Sequence, residues 1–246
     1  MAAKIAIGLR LDEITNSVTG STPASFEPSI DYIVVKVPRW PFDKFKKADR
    51  TLTTAMKSTG EVMAIGRNVE EAFKKALRSL DTDIDHHTNP SEIRMILSRP
   101  TDERFGTLFD AFKAGFSLEE IQALTHIAPF FLEKVRNIVE MEKLLCDCPG
   151  PDDILTAKAY GFTTTEICEL SGMNRDEVEI LCKDPTYKMV DTCAAEFPAK
   201  TPYFYSTWDE ECEIPTSDRQ KVLILGSGPI RIGQGIEFDY CTVHAV

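Results

Sequence analysis

The sequence lacks several signatures that would fix a function class outright. No apolar run approaches the roughly 20 residues that a membrane-spanning helix needs. Met1 to Leu11 carries neither a basic leader nor an apolar core of signal-peptide type. Membrane insertion and secretion are therefore not expected, and a cytoplasmic location is. Zinc is poorly served. Of the seven cysteines only Cys146 and Cys148 lie close together, nearer than zinc pairs are usually spaced and without a second pair beside them. An odd cysteine count with no secretory leader reads as reduced thiols that mostly fill core. No metal site is expected. His86, His87, His126 and His244 have no recognisable catalytic partner and read as surface or core residues.

What is present is an ordinary globular composition, 43% hydrophobic and 27% charged over 246 residues. That length suits one large domain or two to three small ones. The net charge of −11 is unevenly spread. Between Asp81 and Val190 only 11 Lys and Arg face 21 Asp and Glu. Such a block repels a phosphate backbone, so nucleic-acid binding is disfavoured.

The expected fold is mixed: a central all-α helical bundle flanked by partial α/β pieces. Asp31 to Val37 reads as a buried β-branched strand ended by Pro38, after an alanine-rich helical start at Ala2 to Gly8. Glu61 to Gly66 reads as another strand. Asn68 is placed to cap a helix in which Val69, Ala72, Phe73, Ala76, Leu77 and Leu80 share one face. From Asp81 to Asp184 the pattern is helical. Thr101 is expected to cap a helix ending at Gly115, and Ser117 with Glu120 forms a capping box for the next. Pro129 opens a longer helix carrying Phe130, Phe131, Val135, Ile138, Val139 and Leu145, and Pro151 opens one that stops at Gly161.

An internal echo follows. Gly115-Phe116-Ser117 and the helix after it are repeated 46 residues later by Gly161-Phe162-Thr163. Two copies do not make a solenoid but favour a compact bundle. A helix-turn-helix DNA reader has the same local grammar, against which the charge argues. Beyond Thr186 the character changes. Asp191 to Trp208 reads as an extended aromatic segment, Glu210 to Asp218 as an exposed acidic linker, and Lys221 to Leu225 as a buried parallel strand. One such strand cannot satisfy its backbone alone, so the last residues read as the opening of a further domain, and Met1 as entering an α/β domain part-way through.

The strand enters Gly226-Ser227-Gly228-Pro229, a layout that brings backbone N–H groups towards an anion. The dinucleotide fingerprint is not completed, because Arg231 stands where its third glycine belongs, and no Gly-Lys-Ser/Thr makes a Walker loop. From spacing alone this is a tight strand-to-helix turn with possible anion contact at Gly226, Ser227 and Gly228.

The longer run Gly226 to Cys241, GSGPIRIGQGIEFDYC, closely resembles the start of the second synthetase half of carbamoyl phosphate synthetase large subunits. Met56 to Arg67, MKSTGEVMAIGR, resembles the close of the first half's ATP-grasp unit, and Ser25 to Tyr32 and Val190 to Phe197 also resemble family signatures. The resemblance covers the whole chain in the family's order. It implies three parts: 1–81 as the end of the carboxyphosphate ATP-grasp domain, 82–218 as the helical oligomerisation domain with its linker, and 219–246 as the start of the carbamoyl phosphate half. It implies an ATP- and Mg²⁺-dependent ligase making carbamoyl phosphate from bicarbonate and ammonia or glutamine for arginine and pyrimidine synthesis. Its implied partners are the rest of the large subunit, a glutaminase subunit or domain, and a possible second copy through the helical part. Nucleic acid and membrane are not among them. The same resemblance places Glu61, Gly235 and Glu237 along the tunnel that carries carbamate, with the ATP and metal ligands outside this chain. Without it, Glu61 is an ordinary strand-end carboxylate and Glu237 an acid in a helix's first turn. The chain alone is expected to be inactive. A free-standing helical assembly module and a helix-turn-helix regulator stand as alternatives.

Overall fold

The computed structural model describes residues 1–17, 19–27, 29–80, 86–182, 184–191, 203–224 and 244–245. In chain order its elements are α1 (Ala2–Ala6), β1 (Ile33–Arg39), β2 (Gly60–Gly66), α2 (Val69–Leu80), α3 (Pro90–Leu97), α4 (Arg104–Lys113) and α5 (Leu118–Thr125). There follow α6 (Pro129–Cys146), α7 (Pro151–Ala159), α8 (Thr164–Ser171), α9 (Arg175–Leu181), β3 (Thr186–Met189) and β4 (Phe204–Thr207). The architecture is mixed α/β and mostly helical. It divides into two units, residues 34–183 with 219–246, and residues 1–33 with 184–218.

In the larger unit β1 pairs with β2. Alternation puts Val62 and Ala64 on one face, where they are buried with Val37 against Ala76 of α2. The expectation of a buried strand ended by Pro38 is corrected. The strand runs through Pro38 to Arg39, and Val34 is 43% exposed. With a single strand pairing it among the described residues, β1 has an edge on which a missing N–H breaks no ladder.

The main core lies among α3 to α9, with Ile93, Leu97, Ile121, Leu132, Ile138, Leu145, Ile154 and Ile167 all but fully buried. Both echo junctions are built alike. Gly115 (φ +87°) and Gly161 (φ +84°) take the left-handed conformation that ends each preceding helix. Phe116 N then donates to Ala111 O and Phe162 N to Ala157 O, each at 3.0 Å. The hydroxyl caps follow as expected, Ser117 Oγ accepting from Glu120 N (3.2 Å) and Thr163 Oγ1 from Glu166 N (3.1 Å).

Three further details differ from the sequence reading. Helix α4 begins at Arg104, and it is the Thr101 carbonyl that accepts from Arg104 N (3.2 Å), so the Thr101 hydroxyl caps nothing. Asn174 caps a further short helix, α9, that the periodicity did not separate. Residues 221–224 form no strand, and Val222 and Leu223 are exposed. A lone apolar run has no ladder to join without neighbouring strands, and none pairs with it among the described residues.

In the smaller unit β3 and β4 pair antiparallel from Thr186 opposite Thr207 to Met189 opposite Phe204. Tyr205 packs on Tyr32 with ring centroids 6.2 Å apart. The acidic stretch after Glu210 is exposed as expected, but Glu213 pins it: its N–H donates to Tyr187 O (2.8 Å) and its carboxylate accepts from Met189 N (2.6 Å). Residues 192–202 of the expected extended segment lie outside the described residues.

Candidate functional site

Glu61 is the second residue of β2. The period of two that buries Val62 and Ala64 turns Glu61, Met63 and Ile65 to the opposite face of the sheet. On β1 the same alternation sends Val34 and Lys36 to that outer face and Val35 and Val37 inward. Lys36 Nζ therefore meets Glu61 Oε1 at 2.5 Å, with both side chains a little under half exposed. The Glu61 side chain has no other polar partner among the described residues. Gly226, Ser227, Gly228, Gly235 and Glu237 lie outside the described residues, so Glu61 is the expected site residue whose surroundings are seen. Lys36 was not singled out by the sequence. Its signal was the alternation around Val35 and Val37, but the register that brings it opposite Glu61 depends on the 20-residue loop between the strands.

The end of β2 opposite Glu61 is tied to the bundle through α2. Asn68 Oδ1 caps the helix by accepting from Glu71 N (2.8 Å), while Asn68 Nδ2 donates to Ala159 O (3.0 Å). Glu71 Oε2 accepts from Arg67 N (2.7 Å), and Lys75 Nζ donates to Ile65 O (3.0 Å). Glu70, Glu71 and Lys74 are all buried, on a face that the apolar period of the helix assigns to solvent. Each is paired there: Glu70 Oε1 accepts from Asn137 Nδ2 (2.8 Å), and Lys74 Nζ donates to Glu166 Oε1 (2.8 Å) over the Phe162 ring. Burial alone would raise the Glu166 carboxyl, but Lys74 and the Thr163 donors pull it below its ordinary value.

The loop between β1 and β2 is latched to the start of α4. Arg50 donates from Nε to Asp102 Oδ1 (2.8 Å) and from Nη2 to Oδ2 (2.7 Å), and its Nη1 lies 2.6 Å from Glu103 Oε1. Inside the loop the Thr51 backbone N–H, and then Lys57, hold the exposed Asp49 carboxyl down at about 2. A cleft of about 430 Å³ opens beside this latch, lined by Val37, Trp40, Phe42, Arg50, Leu77 and Phe105 among others. The histidines are more engaged than the sequence implied. His86 Nδ1 pairs with Asp110 Oδ1 (2.9 Å), and Asp110 Oδ2 accepts from His87 N (2.8 Å). Among the described residues no group of three or more His, Cys, Asp or Glu could hold a metal ion. No described helix is long and apolar enough to cross a membrane.

Residues 61–185 match the family described as carbamoyl-phosphate synthetase large chain, oligomerisation domain. The chain belongs to the carbamoyl phosphate synthetase large-chain family. Residues 218–246 match the carbamoyl phosphate synthase preATP-grasp domain. The chain is 72% identical over its whole length to the carbamoyl phosphate synthase large chain of Methanoculleus marisnigri and 73% to that of Methanospirillum hungatei, covering 23% of each. It is 56% identical to the large chain of Methanosarcina barkeri, covering 24% of it. This synthetase segment thus spans about a quarter of the length of the curated relatives it matches. The oligomerisation-domain match starts at Glu61 and so takes in β2 and α2, in keeping with the packing of α2 on the bundle.

Proposed function

We propose that this chain is the central segment of a carbamoyl phosphate synthase large chain, joining its two ATP-using halves and lining part of the passage for carbamate. The observation that carries the reading is similarity along the entire chain to proteins about four times as long. In this reading 1–81 closes the carboxyphosphate ATP-grasp domain, 82–218 is the oligomerisation domain with its linker, and 219–246 opens the carbamoyl phosphate half. The parent reaction uses ATP to activate bicarbonate, ammonia to form carbamate, and a second ATP to phosphorylate carbamate, feeding arginine and pyrimidine synthesis in the cytoplasm. A glutaminase subunit or domain supplies the ammonia where glutamine is the donor.

No group of three or more His, Cys, Asp or Glu is placed to hold Mg²⁺ among the described residues. Phosphoryl transfer rests on positioned metal and cations. In this reading those ligands belong to the remainder of the large chain, and Gly226, Ser227 and Gly228 are at most an anion-contacting turn. What this chain contributes is a wall: Glu61 from one side, Gly235 and Glu237 from the other, with the helical unit as scaffold. A carboxylate on such a wall accepts hydrogen bonds from the amino group of carbamate.

Two measurements test this. The isolated chain, given ATP, bicarbonate and ammonia, should form no carbamoyl phosphate, and turnover would refute the segment reading. In a full-length large chain carrying this sequence, Glu61→Trp should raise the ATP consumed per carbamoyl phosphate, because blocked carbamate is lost to water. An unchanged ratio would remove Glu61 from the passage.

A further inference from the structure

The outer face of the β1–β2 sheet carries little charge. Its side chains are Val34, Lys36 and Pro38 from β1, and Glu61, Met63 and Ile65 from β2. An ordinary solvated sheet face is polar at most of its positions. Here one cation and one anion stand together at 2.5 Å on an otherwise apolar surface, and both remain open enough to be reached. An ammonium has three N–H groups, of which the contact with Glu61 uses one. The second carboxylate oxygen of Glu61 is left without a bond among the described residues.

Taken with the passage role proposed above, this patch resolves an electrostatic difficulty. Carbamate, H₂N–COO⁻, is an anion, and Glu61 alone would repel it. Lys36 cancels that charge and adds donors beside the acceptor. We propose that Lys36 is a second wall residue of the passage, holding the carboxylate end of carbamate while Glu61 accepts from its amino end. The pair matches both ends of the molecule, donor to acceptor and acceptor to donor. Ammonia offers no carboxylate to Lys36, so the pair favours carbamate over ammonia. No covalent step is involved, so Lys36 acts as a positioning residue and not as a catalyst.

The test uses full-length large chain with its glutaminase partner where one exists, and reads ATP consumed per carbamoyl phosphate formed. Lys36→Met should raise that ratio about threefold or more, and Lys36→Arg, which keeps charge and donors, should bring it back near the parent value. A Lys36 that served only to hold the strands would show a lowered melting temperature with no change in the ratio. The Glu61→Trp variant separates the two readings. If it raises the ratio while Lys36→Met does not, the role of Lys36 is overturned and the passage stands. If neither variant changes the ratio, the passage reading falls and this inference falls with it.

Discussion

At the scale of single residues, Glu166 shows how a sequence-legible cap takes on a second duty. It accepts from Thr163 N (2.7 Å) and Thr163 Oγ1 (2.9 Å) as the closing member of a capping box, and from Lys74 Nζ (2.8 Å) across to α2. Its folded pKa lies below the unfolded value of about 4.5, so the stability it lends is present above that pH and is lost as pH falls through the folded value. Glu166→Gln should therefore lower stability at neutral pH by about 1–3 kcal/mol, trimmed by the one-third of the side chain that water still screens. It should also flatten the acid limb of the stability profile. Urea midpoints between about pH 3 and 7 would show both effects, and an unchanged limb would assign the acid sensitivity to other carboxylates.

At the scale of elements, the two echo junctions have the same backbone conformation and different surroundings. A Cβ at Gly115 would meet nothing within 4 Å, whereas at Gly161 it would meet Glu71 Cα and O at 3.1 Å. Gly115→Ala should cost only the left-handed strain of about 1–2 kcal/mol, while Gly161→Ala should exceed it by about 1 kcal/mol or more because α2 must move away. Thermal or urea unfolding of the two variants side by side checks the order. The loop between β1 and β2 gives a second prediction. Arg50→Ala removes the fork to Asp102 and the single contact with Glu103 and should make Lys44, Lys46 and Lys47 markedly faster targets for trypsin, with a stability loss of about 1–3 kcal/mol.

These same elements mark what the chain's pattern discloses. Glycine stops, the hydroxyl caps of Ser117 and Thr163 and the apolar spacing of α6 are local and were legible, as was the cap of α2 by Asn68. The buried charges of α2 were not, because Glu70, Glu71 and Lys74 look solvent-bound until Asn137, Lys75 and Glu166, from beyond their own turn or their own helix, are placed against them. The mate of Glu61 was hidden for a similar reason. A contact between Lys36 and Glu61 is fixed by register, which short-range spacing does not encode. Phe130 and Phe131 make the reverse case: they fit an apolar helix start, yet both lie more than half exposed.

At the scale of the whole molecule, charge and connectivity act together. With a sequence pI near 4.9, the chain should show its solubility minimum close to that pH, measured as turbidity across an acid titration, and a minimum elsewhere would mean that folded-state pairing shifts the balance. Among the described residues the larger unit has two apolar clusters, and α2 belongs to both. Ala76 is buried with Val37, Val62 and Ala64, while Phe73 and Leu77 pack on the core built around Leu132, Ile138 and Ile167. A helix shared in this way leaves no place where one cluster can open and the other remain shut. The backbone amides of β2 should then exchange with deuterium no faster than those in the middle of α6, two-stranded sheet though it is, since both wait for the same rare opening. Any weakening of the helices would be felt at Glu61 as a change in how long its strand stays formed.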